Sequence, residues 1–294
     1  MLQVRAVFCH RFTCGIMHLQ IFRERLRWVI RIVSGAVLVA ISLGFSGQSA
    51  QSAAALVGDP VVLELFTSQG CSDCPLADAL LNEVGASTPG VIPLAYHVDY
   101  WNHLGWADPF SSRQFSARQE GYSRAMKLAA QYTPQIVISG EAQFVGSDRN
   151  SIARAITEAL ATPAAGHVGL HVSFVAQPSR MLRIKVKAQV ESSTPGPFVL
   201  MVAVYENGLV TRIVSGENGG RELRDNYTVR KLVRAFGIEG TQATEKEVRL
   251  ELDPAWSINH LGVAAFIQNT SSLKIVGAAA QYPLVPAVGS AEID

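Results

Sequence analysis

The chain has 294 residues, 48% of them hydrophobic and 17% charged, with a formal net charge of +1. That composition is globular, which excludes a disordered or collagen-like chain. Residues 1–55 carry six arginines against the single acid Glu24, so the remainder is mildly acidic and gives no electrostatic reason to expect nucleic-acid binding.

In chain order, residues 23–31 are a basic stretch, residues 32–45 an apolar run, and residues 46–55 a small-residue segment containing Ala53-Ala54-Ala55. This is the order of a secretory signal peptide, with cleavage expected near residues 53–55. The apolar run falls short of the roughly 20 residues of a comfortable membrane helix. The mature protein is therefore expected in the periplasm or secreted, with a membrane tether only if the signal is uncleaved. Removal of residues 1–55 takes Cys9 and Cys14, leaving Cys71 and Cys74 alone in an oxidising compartment.

Residues 61–66, Val-Val-Leu-Glu-Leu-Phe, predict a strand, and Leu76, Ala79, Leu80 and Val84 repeat at helical spacing after it. A second strand is expected over 91–98. Asp108-Pro109 has the form of an N-cap followed by a first-turn proline, with Phe115, Gln119, Tyr122 and Met126 on one helical face beyond it. Short strands over 136–138 and 143–145 and a helix over 151–160 complete an α/β domain expected at 58–164. After the linker at 163–166 the pattern changes to alternating strands over 167–175, 181–190, 198–205, 246–252, 261–267 and 273–279. These predict an all-β sandwich, immunoglobulin-like, over 165–284, with a tail at 285–294. Residues 216–223 are expected to be a polar loop between strands.

Cys71-Ser72-Asp73-Cys74-Pro75 lies between the first strand and the first helix. A helix start offers unpaired N–H groups and a partial positive charge, which stabilise a thiolate, the attacking species in disulfide exchange. Cys71 is thus expected to be the nucleophile and Cys74 the resolving thiol. Asp73 beside them raises the thiol pKa and points to a couple at the reducing end of the known range. Two other readings stay open. The pair forms a structural disulfide in a non-enzymatic binding module, or it binds copper(I) with His97 or His103. No resident metal and no cofactor is expected. His97 and Asp99 alternate onto one face of a strand end and are expected to support the dithiol or each other. Trp101 and Trp106 are candidates for a substrate lip or for domain plugs. Arg118 is expected to be solvated or paired to an acid.

The layout resembles the thioredoxin fold, with Tyr132-Thr133-Pro134-Gln135 in the place of its cis-proline loop. That resemblance implies that Thr133 and Pro134 lie against the dithiol and position substrate backbone. Leu63 to Pro75, His97 to Asn102, Leu104 to Phe110, Ala117-Arg118-Gln119 and Tyr132 to Gln135 together resemble an exported, thioredoxin-like bacterial family catalogued as domain of unknown function 1223. The expected activity is thiol–disulfide oxidoreduction on cysteines of periplasmic or secreted proteins, with protein thiols or disulfides and an unidentified redox protein as partners. The chain departs from ordinary thioredoxins at three places. Gly70 stands for the tryptophan before the first cysteine, Ser72-Asp73 for Gly-Pro between them, and Leu65 for the buried strand acid. Glu64, one residue away, either relays a proton to Cys74 if the strand shifts locally or is an exposed or salt-bridged strand glutamate.

Overall fold

A computed structural model describes residues 59–175 and 180–284. The expected signal segment with Cys9 and Cys14, and the tail at 285–294, lie outside the described residues.

Strand β1 (Val61–Thr67) is buried along its whole length. A run of apolar, β-favouring residues with no alternation suits a strand covered on both faces. It pairs in parallel with β2 (Val91–His97) and antiparallel with β3 (Gln135–Ile138), which turns through Ser139-Gly140 into β4 (Ala142–Val145). Among the described residues the three α-helices are α1 (Cys74–Ser87), α2 (Arg113–Ala125) and α3 (Arg149–Leu160). Successive side chains of β1 face opposite ways. Leu63 and Leu65 pack with Ala77, Leu80 and Leu81 of α1 and Ile152 and Ile156 of α3. Val62 and Phe66 pack with Phe115 and Tyr122 of α2. Asp148 caps α3 by accepting from the Ser151 amide at 3.1 Å. Helix α2 is capped by Ser112 and not by Asp108, because Asp108 turns inward.

The sheet does not stop at the expected linker. The strands β5 (Gly166–Phe174), β6 (Met181–Val190), β7 (Phe198–Glu206), β8 (Leu209–Arg212), β9 (Glu222–Asp225), β10 (Thr228–Ile238), β11 (Thr244–Glu251), β12 (Leu261–Asn269) and β13 (Ile275–Gln281) follow in the chain. One eight-stranded mixed sheet runs in the order β13-β12-β7-β10-β2-β1-β3-β4. Its two halves join where β10 lies parallel to β2, with Thr228 opposite Ala95 and the Ala95 amide donating to the Tyr227 carbonyl at 2.8 Å. That join covers an edge of β2 that would otherwise carry unpaired backbone groups.

A second antiparallel sheet, β11-β6-β5, lies face to face with the far half of the large one. Leu182, Ile184 and Val186 of β6 share a core with Leu200, Val202 and Val204 of β7 and Leu261 and Val263 of β12. Two sheets therefore share this core, and one of them continues the α/β sheet. Strands β8 and β9 form a separate hairpin whose end carries residues 213–221. No helix among the described residues is long and apolar enough to cross a membrane.

Candidate functional site

Cys71 and Cys74 are joined as a disulfide with their Cα atoms 5.5 Å apart. The loop from β1 folds tightly onto itself. The Cys71 amide donates to the Ser68 carbonyl at 3.1 Å, and the Gly70 amide to Ser68 Oγ at 3.1 Å. Asp73 takes the N-cap position of α1 without a side-chain cap bond, and its side chain is exposed. Pro75 occupies the first turn, where no partner for an N–H is needed.

Three expected neighbours do gather here. Cys71 Sγ lies 4.0 Å from the Thr133 carbonyl oxygen, and the Thr133–Pro134 bond is cis. Trp101 donates from Nε1 to Thr133 Oγ1 at 2.8 Å. Trp101 also crosses Gly70, where a Cβ would meet the Trp101 Cβ at 3.2 Å, so the close approach of the two loops uses the missing side chain. Gln119, fully buried on α2, ties the Thr133 loop from behind by donating to the Tyr132 carbonyl at 2.7 Å and to Gln135 Oε1 at 2.9 Å.

His97 pairs with Asp108, not with Asp99. His97 Nδ1 and Asp108 Oδ2 are 2.7 Å apart and both residues are buried. Asp99 instead binds Ser116 at the start of α2, accepting from the Ser116 hydroxyl and donating its amide to it at 3.0 Å. Strand β2 ends at His97, so the alternation that would put Asp99 beside it lapses. Trp106, part-exposed, donates to Gln69 Oε1 at 3.2 Å. Gln69 then joins two carboxylates, its amide donating to Asp108 Oδ2 at 2.8 Å and its side chain to Asp225 Oδ2 at 2.7 Å. Asp78, four residues after Cys74 on α1, accepts from Thr67 Oγ1 at 3.1 Å.

The electrostatics of this cluster set its protonation. Burial alone would lower the His97 pKa, but the Asp108 charge and hydrogen bond, helped by Asp225 and Asp78, raise it to about 9. His97 is therefore an imidazolium at neutral pH, with its buried Nε2 lacking a hydrogen-bond partner. Burial raises Asp108 too, but the same pairing outweighs it and holds its carboxyl below the usual range. Burial and then the nearby Asp225 carboxylate push the Asp78 carboxyl up to about 7, against the opposing pull of His97 and Thr67. Asp225 is raised by burial as well.

Glu64 does not reach the dithiol. It is fully buried on the α2 side of β1, with Val62 and Phe66, while Cys74 opens α1 on the other side. Arg118 clasps it with Nε at 2.7 Å and Nη2 at 3.0 Å, and Tyr122 donates its hydroxyl to the same carboxylate. The guanidinium lies over the rings of Tyr96, Tyr122 and Phe266 at 5.2–5.4 Å. Arg118 is thus paired to an acid and is not a solvated residue.

The residues that the sequence reading did not single out come mostly from the far half of the chain. Asn218, fully buried, donates from Nδ2 to the carbonyls of Gln69 and Cys71, each at 2.9 Å. Glu217 accepts from the Ser72 amide at 2.9 Å. Ser215 donates to the Gly105 carbonyl at 2.5 Å. Asp78 had a usable signal, since a residue four after Cys74 shares its helical face. Asn218 and Asp225 had none, being about 150 residues from the loop they bind. Cys71 is 1% and Cys74 0% exposed. His103 is exposed on a 3-10 turn over Asn102–Leu104. Among the described residues, no three His, Cys, Asp or Glu side chains assemble as a metal-holding group.

Residues 62–268 match the family described as protein of unknown function (DUF1223). The chain is 30% identical over 87 residues to thioredoxin of Methanocaldococcus jannaschii, spanning 30% of this chain and 80% of that one. Among solved structures, protein AGR_C_4864 from Agrobacterium tumefaciens is similar at 26% identity and a TM-score of 0.58, over 75% of this chain and 92% of that chain. HBP35 of Porphyromonas gingivalis shares the fold at 17% identity and a TM-score of 0.61, over 81% of this chain and 80% of that one.

Proposed function

The chain belongs to the DUF1223 family, and we propose that its Cys71–Cys74 pair performs thiol–disulfide exchange with cysteines of other polypeptides outside the cytoplasm. The observation that carries this reading is the disulfide at the start of α1, with the Thr133 carbonyl 4.0 Å from Cys71 Sγ. A backbone carbonyl beside the nucleophile is a fixture against which an extended substrate backbone can align. We read β1-α1-β2 followed by β3-β4-α3 as a thioredoxin-like arrangement, and the likeness to an archaeal thioredoxin supports that reading. Export is inferred from the basic, apolar and small-residue order of residues 23–55.

In the reduced state the Cys71 thiolate attacks a substrate disulfide. One substrate sulfur leaves as a thiolate and takes a proton, and a mixed disulfide to Cys71 forms. Cys74 then loses its proton and attacks Cys71 Sγ, which releases the second substrate thiolate and closes the Cys71–Cys74 bond. The substrate gains two electrons and the protein loses two; oxidation of a substrate runs the same steps backwards. We assign the trade of the Cys74 proton to Asp78, one helical turn along α1 and with its carboxyl pushed up to about 7. His97, Asp108, Gln69 and Asp225 hold the charges around it.

A second reading is favoured by the burial of both cysteines: the disulfide is a staple and the β portion binds a partner. Turnover of insulin disulfides with a chemical reductant separates the two. The exchange reading expects turnover that Cys71→Ser abolishes; the staple reading expects none, and a loss of stability alone.

A further inference from the structure

Disulfide exchange needs a thiolate to approach a sulfur along the S–S axis, yet neither Cys71 nor Cys74 meets solvent. Part of what lies over the loop is residues 213–221, from the β portion. This segment is a preformed piece with its own hydrogen bonds. The Ile213 amide donates to the Arg221 carbonyl at 2.9 Å, the Gly220 amide to the Ile213 carbonyl at 2.9 Å, and the Gly219 amide to the Gly216 carbonyl at 3.0 Å. Arg221 holds Asn218 Oδ1 at 2.8 Å, which turns the amide nitrogen of Asn218 towards the dithiol loop. Three points pin it down. Asn218 bonds the carbonyls of Gln69 and Cys71, Glu217 accepts from the Ser72 amide, and Ser215 binds Gly105. Gly216, at φ +73, packs so closely on Trp106 that an added Cβ would lie 3.1 Å from the Trp106 Cβ.

The pins differ in strength. Asn218 and its acceptors are buried, whereas Glu217 is exposed and makes its bond at the solvent edge. The bonds of Asn218, Glu217 and Ser215, the packing of Gly216 on Trp106 and the buried side chain of Ile213 hold a short connecting segment, and this kind of segment opens without global unfolding. Val214, 75% exposed, presents an apolar side chain on its outer surface. A polypeptide can engage such a segment over several residues, while a small thiol has nothing to grip and must wait for spontaneous opening.

We propose that Glu217 and Asn218 are selectivity residues, which close residues 213–221 over the disulfide so that it exchanges with polypeptide thiols that lift the segment and not with small thiols. The inference rests on the dithiol reading above. When the segment lifts, a polypeptide thiolate attacks Cys71 Sγ, the Cys71–Cys74 bond breaks, and Cys74 leaves as a thiolate and is protonated. A second thiol of the same polypeptide loses its proton, attacks the mixed disulfide and frees Cys71. The polypeptide dithiol becomes a disulfide, and the protein disulfide becomes two thiols.

The test is the rate at which excess reduced glutathione opens the disulfide of the full chain, followed by thiol alkylation and intact mass. Wild type should react far more slowly than the same chain unfolded in urea. Glu217→Ala should react about tenfold faster than wild type, the change in open population expected for loss of one hydrogen bond of ordinary strength, and Asn218→Ala, which removes two, should react faster still. Glu217 is exposed, so its variant folds even if Asn218→Ala does not. A wild-type rate equal to the unfolded rate, or a Glu217→Ala rate equal to wild type, overturns the proposal. The glutathione rate requires no catalysis, so the proposal stands or falls separately from insulin turnover.

Discussion

His97 Nδ1 lies 2.7 Å from Asp108 Oδ2 in a space from which solvent is excluded. The pair holds a positive ring behind the dithiol loop, while Gln69 ties Asp108 to Asp225 just ahead of Gly70 and Cys71. The charge state of one residue at the end of β2 therefore bears on the two acids and the backbone that frame the disulfide.

The first expectation concerns pH and stability. The His97 pKa is raised in the folded protein to about 9, from about 6.5 when unfolded. The stabilising contribution is thus complete below pH 6.5 and is lost as pH rises through 9. The sum over that interval is on the order of 3 kcal/mol. Asp78, raised to about 7, adds a loss of the same sign between its unfolded value and pH 7. Urea unfolding at pH 6.5 and 9.5 should show the alkaline loss, and Asp108→Asn, which removes the main support of the imidazolium, should flatten it. A curve rising over that interval contradicts the assigned protonation.

Asp78→Asn separates chemistry from folding. A carboxyl kept above its ordinary pKa is destabilising once ionised, so the variant should be more stable than wild type at pH 8 by denaturant unfolding. If Asp78 exchanges a proton with Cys74, the same variant should lose at least tenfold in disulfide turnover, and the pH–rate profile should lose its inflection near 7. A variant that gains stability and keeps both rate and profile removes Asp78 from the mechanism.

Glu64 and Arg118 carry the opposite expectation. Arg118→Ala leaves a fully buried carboxylate without its cation and should cost about 3–5 kcal/mol, read by urea unfolding. Replacing Glu64 and Arg118 together by glutamine and methionine should recover part of that loss. In the double variant the pH profile of turnover should match wild type, since the ion pair faces α2 and not α1.

Trp101→Phe removes the 2.8 Å bond to Thr133 Oγ1 while keeping an aromatic ring over Gly70. The Thr133 loop is then less fixed beside Cys71. KM for a polypeptide disulfide should rise several-fold with little change in melting temperature. An unchanged KM would show that Trp101 supports the fold and not the substrate.

Much of the first half was legible from local pattern. The apolar run at Val61 to Phe66 and the helical repeat after Pro75 each act over a few residues and appear where their signal stood, and the cis bond at Thr133–Pro134 lies where the resemblance to the thioredoxin fold implied it. Asp108-Pro109 misled because a residue that caps well in isolation was drawn inward by a buried histidine; Ser112 took the cap instead. Of the two readings of Glu64, the salt-bridged strand glutamate holds, because a strand residue one place off points to the opposite face. The shared sheet was not legible at all. Ala95 and Thr228 meet through backbone groups that every residue carries, so no side-chain pattern announces the pairing. For the same reason the contribution of Asn218 to the site shows only in the folded chain, where its amide finds two backbone carbonyls.

The most direct measurement is capture of a mixed disulfide. Cys74→Ser leaves Cys71 without its resolving partner, and the variant is mixed with scrambled ribonuclease and read by intact mass after rapid alkylation. Exchange at this pair requires a covalent adduct through Cys71, dissolved by reductant and missing in Cys71→Ser. Absence of any adduct in Cys74→Ser, with both variants losing the same stability and neither reacting, would make the disulfide a staple and contradict the proposed function.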